Sequence, residues 1–181
     1  MKIQIINGPN LNLLGTREPE VYGNGTFEDF LARLRTLFAE TEIDYFQSNV
    51  EGELINRMQE AAQACDGIIL NAGGYTHTSV ALHDCILAIG VPVVEVHISN
   101  IFAREDFRHR SLISGACAGN ISGFGLDSYR LAVEALLGKG MEKRKRNKKG
   151  GAEVAHKHPV PVPRFSPDNV QTDGTRRQQE A

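Results

Sequence analysis

Short apolar runs alternate along this chain with stretches whose apolar residues recur every three or four positions. That alternation narrows the fold more than any other feature. The runs are residues 2–7, 43–47, 67–71 and 93–97, with 120–122 as a weaker fifth. They read as strands without a polar face, so both of their sides must be covered. Between them the 3–4 spacing predicts helices over 26–39, 51–64, about 79–89 and 128–137. The first helix carries the clearest start signal, Thr26 at the cap and Asp29 three residues on. Its apolar stripe is Phe27, Phe30, Leu31, Leu34, Leu37 and Phe38, and Leu54, Ile55, Met58, Ala61 and Ala62 form the matching face of the second.

Strand and helix in repetition imply a parallel sheet with helices on both faces, because parallel neighbours need a long crossover. The expected class is α/β, a flavodoxin-like doubly wound sandwich with a five-stranded parallel sheet, occupying residues 1–140. At 41% hydrophobic, the 181-residue chain can build one domain with a sizeable core. After about residue 140 the composition changes. Basic residues crowd 143–149, glycines stand at 150 and 151, and prolines at 159, 161, 163 and 167, with no periodic apolar face. This composition predicts a disordered C-terminal tail over 141–181. The charge divides at the same place: residues 1–140 hold 10 Lys and Arg against 17 Asp and Glu, and the remainder 10 against 5.

An acidic body speaks against a nucleic-acid surface on the folded domain. No apolar run nears the roughly 18 residues of a membrane-spanning helix. The opening MKIQ runs straight into a strand without a secretory pattern. Cys65, Cys85 and Cys117 are widely spaced and form no C-x-x-C pair. A cytoplasmic protein with reduced thiols is the expectation.

In open parallel sheets ligands sit beyond the carboxyl ends of the strands. The first strand runs into the connection 7–23, NGPNLNLLGTREPEVYG, where most connections in compact domains take about 4–6 residues. It carries Asn12, Arg17 and Tyr22. A guanidinium near a phenol favours the phenolate, which makes Tyr22 a candidate base. The third strand ends at Asn71, followed by Gly73, Gly74 and His77, and the small residues leave backbone N–H groups open to an anion. The fourth ends at Glu95 and His97, then Ile98 and Ser99, with Arg104 and Arg108 shortly after. Residues two apart on a strand point the same way, so Glu95 can hold or charge His97, and a histidinium so oriented is a competent acid.

Read singly, each of these has an ordinary explanation: a satisfied strand-end histidine, a surface arginine and a packing tyrosine, a plain strand–helix turn. His83 reads as a structural helix histidine, while Asp84 stands out as an acid on an otherwise apolar helix. The weight lies in four strands delivering Asn, Arg, Tyr and His to one edge.

Several chemistries lack their residues. No G-x-G-x-x-G follows the first strand, no Walker sequence is present, and His77 and His83 are not at a common zinc spacing. Neither cofactor nor metal is expected. Before residue 141 the only lysines are Lys2 and Lys139, one at each end of the domain. An imine with a carbonyl substrate therefore has no plausible nucleophile, and chemistry on such a substrate falls to acid–base groups.

Four segments, in order, resemble the type II 3-dehydroquinate dehydratases: 7–23, 46–52 (FQSNVEG), 71–79 (NAGGYTHTS), and 95–100 (EVHISN) with 103–108 (AREDFR). The resemblance covers residues 1 to about 138. It implies a cofactor-free hydro-lyase of the shikimate pathway, which removes water from 3-dehydroquinate by trans-elimination, through an enolate-like intermediate, to give 3-dehydroshikimate. By that resemblance Tyr22 takes the proton beside the ketone, and Arg17 lowers its phenol from a reference of about 10. Asn12 holds a water that stabilises the enolate. His97, oriented by Glu95, protonates the departing hydroxyl.

Asn71 with the backbone of Ile98 and Ser99 matches the substrate-carboxylate site, and His77, Asp84 and Arg108 match groups that bind the ring hydroxyls. The resemblance also has Asp84 reaching in from a neighbouring subunit, within a homododecamer of four trimers. Phe102 stands where the family often has His or Tyr, and Val50 where His is common; neither is an expected catalytic position. The alternative from another class is a non-catalytic flavodoxin-like module that binds a ligand or nucleotide. It leaves the Arg17–Tyr22 and Glu95–His97 pairings without a use.

Overall fold

The computed structural model describes residues 1–14 and 26–148 of the chain. Five strands, β1 (Lys2–Asn7), β2 (Glu42–Gln47), β3 (Gly67–Asn71), β4 (Val93–His97) and β5 (Gly119–Ser122), form one sheet in the order β2-β1-β3-β4-β5. Every neighbouring pair is parallel. This is the flavodoxin-like order, in which the winding reverses between β1 and β3. The expected sheet is the one observed, with β2 and β5 each beginning one residue earlier than the sequence suggested.

Four helices cover it: α1 (Phe27–Leu37), α2 (Glu51–Ala64), α3 (Val80–Ala88) and α4 (Asp127–Lys148). On one face Ile3, Ile5, Ile69, Val94 and Val96 pack against Phe27, Leu31 and Leu34 of α1 and Ala132, Val133 and Leu136 of α4. On the other Ile6, Ile68, Leu70 and Val93 meet Leu54 and Met58 of α2 and Leu82, Cys85 and Ile86 of α3. Strand side chains alternate between the two layers, which is why the central runs are mainly apolar on both sides. Each buried Ile, Leu or Val contributes roughly 1.5–3 kcal/mol relative to exposure. No helix among the described residues is long and apolar enough to cross a membrane.

Local signals explain the helix starts. Thr26 Oγ1 accepts from the Asp29 N–H while Asp29 accepts from the Thr26 N–H, each at 3.1 Å, a reciprocal capping box. Ser79 caps α3 by accepting from the Leu82 N–H at 2.8 Å.

Two expectations change. Leu37 is exposed, whereas Leu31 and Leu34 are buried. At 100° per residue it falls off the edge of the stripe centred on Phe27, Leu31 and Leu34, at the last turn of α1. The last helix also continues past 137 to Lys148. Glu142, Lys143, Arg144, Lys145 and Arg146 are good helix formers, and cations suit a helix C-terminus. Residues 141–148, expected to lack structure, are thus helical, and the rest of the expected tail lies outside the described residues.

The chain leaving β1 and the chain leaving β3 run against each other. Gly8 donates its N–H to the Asn71 carbonyl at 2.7 Å, and a Cβ on Gly8 would lie 2.6 Å from the Ala72 carbonyl oxygen. Gly73 sits at φ +58 beneath the Pro9 carbonyl, a conformation that favours glycine. The winding reversal and these glycines together build the floor of the site.

Candidate active site

At the end of β4 the Glu95 carboxylate is wholly buried and His97 nearly so. Nε2 of His97 lies 2.7 Å from Oε1 of Glu95. Ser111 Oγ donates to the same oxygen at 3.0 Å, and Ser114 Oγ donates to Oε2. Ser111 Oγ also accepts from the Ile113 and Ser114 N–H groups, so its own proton is directed at the carboxylate. Burial works against the charge on Glu95. Hydrogen bonds from His97, Ser114 and Asn120, with the attraction of His97, outweigh it and hold the carboxyl below its ordinary range. Glu95 is therefore an anion at neutral pH. Burial and that anion push the nearby Cys117 thiol up to about 12, so it is no nucleophile.

The strand end is tied to the start of α4. The His97 carbonyl accepts from Ser128 Oγ at 3.1 Å and the Gly123 N–H at 3.2 Å, and the Ile98 carbonyl from the Gly125 N–H at 2.9 Å. Ile98 is buried and Ser99 partly exposed, so the backbone of this pair lies at the strand's open end.

A second polar assembly lies on the opposite face of the sheet edge. Asn7 and Asn71 are register partners across β1 and β3, with Gln47 beside Asn7 on β2. Both asparagines are buried, and both reach Tyr129 of α4. The Tyr129 hydroxyl donates to Asn7 Oδ1 at 2.8 Å and accepts from Asn71 Nδ2 at 2.9 Å. Asn71 Oδ1 accepts from the Gly73 N–H at 3.2 Å.

His77 follows β3 and comes back to His97. Their rings stack 19° from parallel, with centroids 6.4 Å apart. His77 Nδ1 lies 2.8 Å from the Arg110 carbonyl, which can only accept, so Nδ1 carries the proton and Nε2 is left for another partner.

The structure therefore joins Glu95, His97 and His77 directly, while Asn71 ends the adjacent strand on the other face of the sheet, held by Tyr129 and Gly73. Other expected site residues stand apart. Arg108 is ion-paired with Glu105 at 2.9 Å and lies over the Phe107 ring. Asp84 is 70% exposed on α3, hydrogen-bonded to its neighbour His83. It does not reach the strand-end cluster of its own chain. Asn12 is exposed on the 3₁₀ turn Leu11–Leu13. Its neighbour Asn10 is the better anchored, at φ 68 with its N–H on Asn49 Oδ1 at 3.0 Å. Arg17 and Tyr22 lie outside the described residues. Among the described residues no three His, Cys, Asp or Glu side chains group as metal ligands do. Phe102 and Val50 are both exposed.

Sequence reasoning missed Ser111, Ser114, Asn120 and Tyr129. The Ser-x-x-Ser spacing before a turn was visible but ambiguous. Nothing local marked Tyr129, since an aromatic in the first turn of an amphipathic helix ordinarily packs.

Residues 1–137 match the family described as dehydroquinase class II. The chain is 50% identical over 139 residues to the 3-dehydroquinate dehydratase of Prochlorococcus marinus, covering 76% of this chain and 96% of that one. It is 54% identical over 140 residues to the 3-dehydroquinate dehydratase of Carboxydothermus hydrogenoformans, covering 76% and 90%. The crystal structure of a type II dehydroquinase from Butyrivibrio crossotus superposes with a TM-score of 0.71 at 43% identity, covering 75% of this chain and 97% of that one.

Proposed function

This chain belongs to the class II dehydroquinases, and from that premise we propose how its residues divide the work. Its activity is that of the family, the hydro-lyase step that takes 3-dehydroquinate to 3-dehydroshikimate in the shikimate pathway. The observation that carries the proposed chemistry is the buried Glu95–His97 pair, with Nε2 2.7 Å from Oε1. With Nε2 held by the carboxylate, Nδ1 is the ring nitrogen left to give a proton to a leaving hydroxyl.

Tyr22 is the base that removes the proton next to the ketone. The other tyrosines support this by elimination. Burial raises the phenols of Tyr45 and Tyr129, and the Tyr75 hydroxyl donates to the Asn49 carbonyl. Arg17 makes the Tyr22 phenolate accessible near neutral pH. The electron pair of the broken C–H bond moves into an enolate, which a water held by Asn12 stabilises. The enolate then expels hydroxide, and His97 supplies the proton that makes it water. Solvent returns the proton from Tyr22 to His97 between turnovers.

Asn71 and the backbone of Ile98 and Ser99 hold the substrate carboxylate; His77, Arg108 and the Asp84 of a neighbouring copy hold ring hydroxyls. Asp84 suits that role because its exposed position on α3 lets another chain approach it. A cytoplasmic homododecamer of four trimers completes the reading. The test is the rise of enone absorbance when purified protein meets 3-dehydroquinate, with no inactivation by borohydride in the presence of substrate. Absence of turnover in the assembled protein would sink it.

A further inference from the structure

Tyr129 stands outside the groups assigned above, yet its hydroxyl is the joint between the two asparagines at the winding reversal. It is fully buried, its ring wedged against Phe27 (centroids 5.1 Å apart) and Phe30 (6.0 Å). Helix α4 thereby delivers one polar atom to the end of β1 and β3, 122 and 58 residues away in sequence.

A phenol has one proton to donate. Tyr129 gives it to Asn7 Oδ1, an atom that can only accept, so its oxygen must receive a donor from Asn71. That requires the Asn71 amide to turn Nδ2 toward Tyr129 and Oδ1 the other way. The Gly73 N–H meets Oδ1 there and demands the same orientation. The Gly73 N–H selects one of the two Asn71 amide rotamers, and Tyr129, whose proton goes to Asn7, completes the same choice in a buried site. Nδ2 uses one N–H on Tyr129 and presents the other.

We propose that Tyr129 is a positioning residue for this reaction: through the Asn7–Tyr129–Asn71 chain it fixes the Asn71 amide with an N–H facing the substrate carboxylate. The inference rests on the reading that Asn71 binds that carboxylate. An amide turned over would present its carbonyl oxygen to an anion and repel it. Tyr129 acts on binding and leaves the proton transfers at Tyr22 and His97 untouched.

The experiment is a double-mutant cycle on the full chain with steady-state kinetics. Wild-type turnover of 3-dehydroquinate checks the function reading by itself. With turnover established, Tyr129→Phe keeps the ring packing and removes the joint; KM is expected to rise about tenfold with kcat within about threefold, the scale of one misdirected hydrogen bond to an anion. In an Asn71→Ala background the same substitution should change KM by less than about twofold, since a residue that acts through Asn71 has nothing left to position.

An unchanged KM in Tyr129→Phe, or a KM effect that is fully additive with Asn71→Ala, overturns the inference while leaving the dehydratase reading intact. A structural role alone would lower the melting temperature without this split or this non-additivity. If Tyr129→Phe does not fold, Asn7→Ala removes the acceptor that directs the hydroxyl proton. It must give the same selective rise in KM, and a normal KM there also refutes the proposal.

Discussion

Nε2 of His97 lies 2.7 Å from Oε1 of Glu95, two residues back on the same strand, and the carboxylate has no access to bulk water. The pair is closed from behind by Ser111 and Ser114. An anion so enclosed fixes the orientation of the adjacent imidazole by holding its Nε2. In Glu95→Gln the geometry is nearly kept and the charge is lost. The expected outcome is a kcat about 10²-fold lower, as when one positioned acid is disabled. Parental turnover in Glu95→Gln would refute the pairing's role.

The same carboxylate makes stability depend on acid. Its folded-state pKa lies below its unfolded one. The stabilisation it provides is therefore present above the unfolded value and lost as pH falls through the folded value. Urea denaturation followed from pH 6 to pH 3 (roughly the carboxylate window) should show the wild type losing stability. Glu95→Gln should be less stable at pH 6 and show a shallower decline.

Tyr22→Phe removes the proposed base without altering the described core. A loss of about 10²–10⁴ in kcat is expected, the range for a positioned base, with an unchanged circular dichroism spectrum and melting temperature. Retained activity would pass the role of base to another group.

Gly8→Ala tests the floor of the site. The new Cβ would meet the Ala72 carbonyl oxygen at 2.6 Å, and backbone cannot yield as a side-chain tip can. A destabilisation of roughly 1–3 kcal/mol is expected for such overpacking. Calorimetry should show the lower melting temperature, and KM should rise because Asn71 lies in the same strand–loop junction.

Removal of residues 150–181 leaves the compact unit Met1–Lys149 whole, and the family match ends at residue 137. Turnover per protomer and oligomer mass by light scattering are both expected to stay at their full-length values. A fall in mass would give the terminal segment a part in assembly.

The sheet and its helices were legible because their signals are local. Periodic apolar spacing, the Thr26–Asp29 box and the β-branched run of β4 each depend on neighbours within a few residues. The Glu95–His97 pair was legible for the same reason, since strand alternation alone puts the two on one side. Leu37 was misjudged because a helical stripe has no sharp edge in sequence, and the extent of α4 because composition after residue 140 resembles that of unstructured segments. Only backbone geometry reveals that Asn10, in the same loop as Asn12, stands at φ 68 with its N–H on Asn49.

The sequence by itself determined the parallel α/β class, the strand ends where polar residues gather, the want of a lysine nucleophile before residue 141 other than at the domain's two ends, and the family resemblance. Tertiary structure alone decided that Ser111 and Ser114 saturate Glu95, that His77 stacks on His97, and that Tyr129 orients Asn71 across 58 residues. These are contacts between residues distant along the chain, whose energies depend on burial and on which donor meets which acceptor. A local pattern carries no record of either.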